Sequence, residues 1–285
     1  MYLDAKTYYS FCFGTFSTAE LIEASIEHGI STLALCNINS TYDHWEFVKL
    51  CREAGIKPVL GVDIRNNHSH CYLIIAKNNN GLQWLNEFLS HHLLNKIDFP
   101  AAPNAPEDVF IIYPNESKNV IDLKPNERIG VKPYELSSLY NFTPTEYHVI
   151  HQPIVVQDKE HFYLHCLIRA IDQNILLSQL DPNTCCNRED TFVSPSKLLA
   201  QCQRYPTLVT NTYKLLDACS IDMDFETDKT RQVFGGSKED DTVLLDKLSR
   251  AGLIRRYGKR NKKAAERLDY ELKVINDLGF TTYFL

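Results

Sequence analysis

The chain has 285 residues, 44% of them hydrophobic and 23% charged, with a formal net charge of -6. That is enough apolar material for one large domain or two smaller ones and too much for a disordered chain, and no apolar run nears the ~18 residues of a membrane helix. With no secretory leader visible and nine cysteines scattered without a C-x-x-C pair, Cys185-Cys186 being the one close pair, the expectation is a soluble, cytoplasmic protein with reduced thiols.

The first stretch, Leu3 to Thr18, reads as a strand that breaks at Gly14 and hands over to a helix. Asp4 and Lys6 then lie where a strand ends, the edge of an α/β sheet at which ligands bind. Ser17-Thr18-Ala19-Glu20 is a capping box, and Leu21, Ile22 and Ile26 give the helix that follows an apolar stripe ending at His28-Gly29. Ser31 to Cys36 has the length of a strand and is closed by the turn residues Asn37 to Ser40. A second helix starts at Asp43, carries Trp45, Phe47, Val48 and Cys51, and stops at Ala54-Gly55. Lys57–Ile64 and Cys71–Ala76 are further strands, and Leu82–Leu94 a third helix. Strands and helices alternating at this spacing predict a parallel sheet or barrel.

The middle of the chain is less regular. Pro100 to Pro106 is a proline-rich surface loop; Val109–Tyr113, Tyr147–Ile150 and Ile154–Val156 read as strands. Apolar residues from Leu164 to Leu177 recur at helical spacing, Asp181–Asp190 is a polar loop, and Pro195–Cys202 and Thr212–Cys219 are short helices.

After Phe225 the character changes. Phe234 to Glu239 reads as a flexible link, followed by a helix over Asp240–Gly258 and another from Lys262 to Gly279. From Lys229 onward there are 13 Lys plus Arg against 8 Asp plus Glu, a net of +5, which leaves 17 against 28, a net of -11, for the rest. An acidic body with a basic tail suggests two parts with different neighbours. Arg255, Arg256, Lys259, Arg260, Lys262, Lys263 and Arg267 are dense enough to approach nucleic-acid phosphates, although such clusters are commonly just solvated helix faces. The final Phe280-Thr281-Thr282-Tyr283-Phe284-Leu285 is too apolar for an ordinary terminus, so the expectation is a chain cut short.

Other histidines are weaker candidates. His68-Ser69-His70 has two imidazoles at i and i+2 but sits in an Asn-rich turn, where a solvated loop is the expectation over zinc. His91 and His92 point in different directions on a helix; His161 and His165 share a helical face, with a surface or capping role expected for His165. Gly235-Gly236-Ser237-Lys238 lacks the first glycine of a phosphate-binding loop.

Several ordered segments together suggest a family. Leu268 to Leu285, running Leu-Asp-Tyr-Glu-Leu-Lys-Val-Ile-Asn-Asp-Leu-Gly-Phe-Thr-Thr-Tyr-Phe-Leu, resembles the opening of the palm in alpha subunits of bacterial DNA polymerase III, and Leu248 to Gly258 the helix before it. Ser10-Phe11-Cys12-Phe13-Gly14, Ala34-Leu35-Cys36-Asn37, Ala54 to Gly61 and Ile75 to Leu82 resemble the polymerase-and-histidinol-phosphatase (PHP) domain of the same family. The resemblance covers residues 1–95 and 240–285 well and 96–239 weakly.

It implies an α/β fold: a distorted (β/α)7 PHP-type barrel over 1–225, then a linker and the first, truncated palm helices over 226–285. It also implies that Asp4, Lys6, Asn37, Ile38, Asp63 and a position near Cys71 stand where family members with an intact site carry metal ligands. An ammonium and an isoleucine have no lone pair to give, and a neutral amide is a poor ligand, so no metal and no catalytic residue is expected in this fragment. The resemblance places the nucleotidyl-transfer aspartates and their Mg2+ beyond Leu285. The implied role is a structural scaffold for DNA replication, with the palm, the proofreading exonuclease subunit, other replicase subunits and primer-template DNA as partners and no membrane. The alternatives are a metal-dependent phosphoesterase or 3′-5′ exonuclease with a rearranged ligand set, and a nucleic-acid-binding module. Lys6 has two readings: an ion pair between Asp4 and Asp63 replacing the metal charge, or an ammonium reaching water along an apolar stem.

Overall fold

The structure is a computed structural model and describes residues 2–115, 117, 119–137, 141–227 and 233–285. Two compact units result, Met1–Met223 and Asp224–Leu285. In the first, β1 (Tyr2–Ala5), β2 (Thr32–Ile38), β3 (Lys57–Asn66), β4 (Ser69–Ala76), β5 (Val109–Pro114), β6 (Glu127–Val131), β7 (His148–Ile150) and β8 (Pro153–Ile154) form one sheet, ordered β7-β6-β5-β4-β3-β2-β1-β8. The two edge strands are neighbours in the chain, separated only by His151 and Gln152. His151 N–H donates to Val131 O on one side and Lys6 N–H to Ile154 O on the other, each at 2.9 Å. One kinked strand therefore serves both edges, and the sheet curls into the distorted α/β barrel expected.

The sheet is not parallel throughout, contrary to the reading of strand–helix alternation. β4 runs antiparallel to both β3 and β5. Only Asn67 and His68 separate β3 from β4, with Asn67 at φ 54°, and so short a link can join only antiparallel neighbours. β6 was hidden because Glu127-Arg128-Ile129-Gly130-Val131 is polar at its start. Val155 and Val156 lie beyond β8, held instead through their backbone N–H groups to Asp190 O.

Leu3, Ala34, Cys36, Val59, Leu73, Ile75, Ile112 and Val149 form one buried cluster with Leu215 and Leu216 of α6 (Pro206–Asp217) and Cys219 just past its end. Lys57, which begins β3, donates through its ammonium to Leu216 O at 2.8 Å, so α6 closes the end of the barrel where β3 starts. The opposite end, where β3 reaches Asp63, is the mouth. On the outer face Val62, Ile64, Tyr72 and Ile74 pack against Leu85 and Leu89 of α3 (Asn79–Asn95).

α1 (Thr18–Glu27) carries the capping box expected at Ser17 and Glu20, and α2 (His44–Glu53) follows β2. Ile26 and Trp45, assigned to the apolar stripes, are exposed instead; Ala24 and Ser25 of α1 and His44 of α2 take the inward places. α4 (Lys159–Asp172) begins five residues earlier than its apolar spacing indicates, because the Asp158 side chain caps it by accepting from His161 N–H. α5 (Pro195–Gln201) precedes α6.

The second unit consists of α7 (Lys238–Tyr257), α8 (Lys262–Asp277) and a final 3-10 turn over Thr281–Phe284. The supposedly flexible link at 234–239 is tied down: the buried Asp241 carboxylate accepts from Phe234 N–H at 2.7 Å and Gly235 N–H at 2.6 Å, and Ser237 caps α7. Residues 228–232 of the expected linker lie outside the described residues. Arg250 reaches Asp246 within α7 and Asp269 on α8.

Candidate functional site at the barrel mouth

β1 reaches the mouth with a register shift: Tyr2 lies opposite Leu33 but Ala5 opposite Leu35, so β1 holds one residue more than β2. The bulge brings both Asp4 and Lys6 to the mouth. Lys6 is 1% exposed, and its ammonium is ion-paired with Asp4 Oδ1 and, at 3.1 Å, with Asp63 Oδ2. Of the two readings of Lys6, the structure takes the ion pair.

Further groups complete the cluster. Arg65, two residues past Asp63 on the same face of β3, donates to Asp63 Oδ2 through Nη2 at 2.8 Å and Nε at 3.1 Å. His70 Nδ1 lies 2.7 Å from Asp63 Oδ1, and His151 Nε2 lies 2.9 Å from Asp4 Oδ2. Every carboxylate oxygen of the two aspartates therefore has a partner. Burial alone would raise the Asp4 carboxyl, but Lys6 and the His151 hydrogen bond outweigh it and hold it at about 2. Burial likewise works against the Asp63 carboxylate, yet Arg65, Lys6 and His70 bring it well below its ordinary range. The same attraction keeps Lys6 raised against the lowering effect of burial. His151 goes the other way: burial lowers it despite the Asp4 contact, so it is a neutral imidazole at pH 7.

Asn37 and Ile38 do not join this cluster. Asn37 is fully buried, accepts from Thr7 N–H at 2.9 Å and Ser10 Oγ at 2.7 Å, and donates to Asp43 Oδ1 at 2.8 Å. Asp43 also accepts from Thr7 and Thr18, so the group pins the loop after β1 to the start of α2. Ile38 packs against the cluster of Phe13, Val155, Val156 and Cys186. Cys71 packs against the outer apolar cluster, and its neighbour His70 is the residue that reaches the mouth.

The solvated turn expected at His68-Ser69-His70 holds for His68 and Ser69, which are exposed, and is corrected for His70, which the β3–β4 hairpin folds onto Asp63; His68 Nδ1 also accepts from Arg169 Nη2 at 2.9 Å. His165 is likewise no surface residue. It is fully buried, joined to Phe13 O at 2.7 Å through Nδ1 and accepting from Cys186 N–H at 2.9 Å through Nε2. Its imidazole is pushed down to about 4, chiefly by burial. Arg65 and His151 went unnoticed in the sequence. Arg65 was detectable as the i+2 neighbour of Asp63 on a strand; His151, in a break between two short strands, belongs to no motif.

Above the cluster opens a cavity of about 1030 Å³, walled by Arg65, Lys132, Tyr134, Phe162, Arg188 and Asp190 among others. The 181–190 segment, read as a plain polar loop, forms one side of it and buries Cys186 and Asp190. In the second unit Arg255, Arg256, Lys259, Arg260, Lys262 and Lys263 are all exposed around the α7–α8 turn.

Residues 3–137 match the family model of the PHP domain. The DNA polymerase III subunit alpha of Streptococcus pyogenes serotype M1 is 26% identical over 300 residues, covering 99% of this chain and 27% of that protein. That of Halalkalibacterium halodurans is 22% identical over 305 residues, covering 93% of this chain and 27% of its own length. An error-prone DNA polymerase of Symbiobacterium thermophilum is 22% identical over 343 residues, covering all of this chain and 31% of that polymerase. The chain thus spans less than a third of the length of these relatives. It carries a PHP domain, set within a stretch that resembles the DNA polymerase III alpha subunits over nearly all its length.

Proposed function

We propose that the chain is the N-terminal part of a replicative DNA polymerase alpha subunit, whose PHP barrel has exchanged a metal site for an internal ion-pair cluster and serves as a scaffold. The observation that carries this is Lys6 between Asp4 and Asp63. A cluster of divalent ions needs open oxygen and nitrogen donors, whereas here both carboxylates are neutralised by Lys6 and Arg65, neither of which can ligate. The donor set does not fit such a cluster.

In the intact enzyme the barrel would support the palm and offer a surface to the proofreading exonuclease subunit or other replicase subunits in the cytoplasm. DNA-directed nucleotidyl transfer, with its Mg2+, would belong to the remainder of the polymerase. Arg255, Arg256, Lys259, Arg260, Lys262 and Lys263 are proposed to approach primer-template phosphates through charge alone.

A second reading, a metal-dependent phosphoesterase or 3′-5′ exonuclease with rearranged ligands, is favoured by one feature. Asp4, Asp63, His70 and His151 meet at one cavity, the two imidazole rings 6.1 Å apart. Metal analysis of the purified chain, with p-nitrophenyl phosphate hydrolysis in Mn2+ or Zn2+, separates the readings. The scaffold predicts substoichiometric metal and no turnover; stoichiometric metal with turnover abolished by Asp63→Ala would overturn it.

A further inference from the structure

Two cysteines at the cavity are placed to react with each other. Cys166 lies on α4 and Cys185 on the 181–190 segment; both are partly exposed and both line the mouth cavity. Three hydrogen bonds hold the two backbones side by side there. His165 Nε2 accepts from Cys186 N–H at 2.9 Å, Arg169 Nε donates to Thr184 O at 2.9 Å, and Gln173 Nε2 donates to Thr184 Oγ1 at 3.0 Å. Cys166 is next to His165 in the chain, and Cys185 lies between Thr184 and Cys186, so these ties bracket the two thiols and bring both to one stretch of the cavity wall.

We propose that Cys166 and Cys185 form a reversible disulfide on exposure to a low-molecular-weight disulfide such as oxidised glutathione, clamping the 181–190 segment to α4 across the barrel mouth. The helix supplies one thiol, the segment the other, and the backbone ties have already removed most of the chain entropy that closure would cost.

The chemistry is thiol–disulfide exchange in two steps. A Cys166 thiolate attacks one sulfur of the reagent, forming a mixed disulfide and releasing the first glutathione thiol. The Cys185 thiolate then attacks the Cys166 sulfur, forming the internal bond and releasing the second. Two electrons pass from the protein thiols to the reagent, and their two protons end on the glutathione thiols or in water. Burial, followed by the neighbouring Cys166 thiol, pushes the Cys185 thiol up to about 11, so Cys185 is a poor first attacker and acts in the second step. Cys186, adjacent in sequence, is buried with Phe13, Val155 and Val156 and is the poorer partner.

The full chain, incubated with oxidised glutathione and then denatured, should have lost Cys166 and Cys185 from its nine titratable thiols and should carry no glutathione on either, whatever adduct the exposed Cys12 takes up. Peptide mapping without reductant should recover one cross-link, Cys166 to Cys185, which dithiothreitol removes. The Cys185→Ser variant should instead keep a stable glutathione adduct on Cys166. Nine free thiols after treatment, a persistent adduct on Cys166 of the unaltered chain, or a Cys185–Cys186 cross-link would each overturn the proposal. Circular dichroism of the treated chain guards against a bond formed only in unfolded protein: a cross-link found solely where the helical signal is lost also counts against it.

Discussion

Replacing Lys6 by methionine tests the mouth cluster most directly, because it removes the charge and keeps the stem. Asp63 would retain Arg65 and His70, but Asp4 would be left buried with only the neutral His151. Breaking a buried pair this way costs about 3–5 kcal/mol, yet the site has an escape: Asp4 can take a proton. From an unfolded carboxyl near 3.9, protonation costs roughly 1.5 kcal/mol at pH 5 and roughly 4 kcal/mol at pH 7, so the smaller of the two penalties governs at each pH. The sign follows from linkage. In the parent chain the Asp4 value is depressed to about 2, so its contribution is complete above the unfolded value and is lost as pH falls through that range. In Lys6→Met the Asp4 value is raised, so its contribution is present at low pH and disappears as pH rises. The gap between the two proteins should therefore widen upward, from about 1.5 kcal/mol at pH 5 to about 3–4 kcal/mol at pH 7. For a unit of this size the latter is a fall in Tm of roughly 6–16 °C. Urea titrations at pH 5, 6 and 7 measure it, and adding Asp4→Asn should recover most of the loss by removing the stranded charge. A Lys6→Met chain within about 1 kcal/mol of the parent, flat across that range, would refute the ion-pair account.

Two further outcomes follow from other parts of the chain. Burial pushes both His44 and His165 down to about 4. Between there and an unfolded value near 6.5 the unfolded chain binds more protons, so stability should fall as pH drops from about 6.5 toward 4, by about 3 kcal/mol for each imidazole. His165→Gln should show a shallower loss over that window in urea titrations, and an unchanged slope would show that burial of His165 is not its source. For the α7–α8 turn, duplex DNA affinity should fall steeply between 50 and 200 mM salt; Arg255→Ala with Arg256→Ala, Lys262→Ala and Lys263→Ala should weaken binding and flatten that dependence, while equal salt slopes would remove these residues from the interface.

The parts of the fold readable from sequence are those where a local rule acts alone. Ser17 and Glu20 satisfy one another within one turn, and β2 and β3 are apolar enough to declare themselves, so their places follow from neighbours in the chain. β6 did not declare itself, because Glu127 is buried by a partner on the neighbouring strand that periodicity does not show: its carboxylate accepts from Tyr113 Oη at 3.0 Å. The hairpin at Asn67-His68 likewise shows no strand-length gap, and missing it put His70 in solvent.

The mouth divides along the same line. Asp4, Lys6 and Asp63 were within reach through the resemblance that set them at one mouth, with two readings of Lys6 open; its full burial between two carboxylates decides for mutual neutralisation over an ammonium reaching water. Arg65 extends that logic by one strand repeat, since the second carboxylate would otherwise share a single ammonium with the first. His70 and His151 obey no such rule: each is placed by a backbone irregularity, the tight β3–β4 link and the β7–β8 break. Charge in a buried site must close locally and so leaves its mark on composition, whereas an imidazole hydrogen-bond partner can come from any strand that bends toward the mouth.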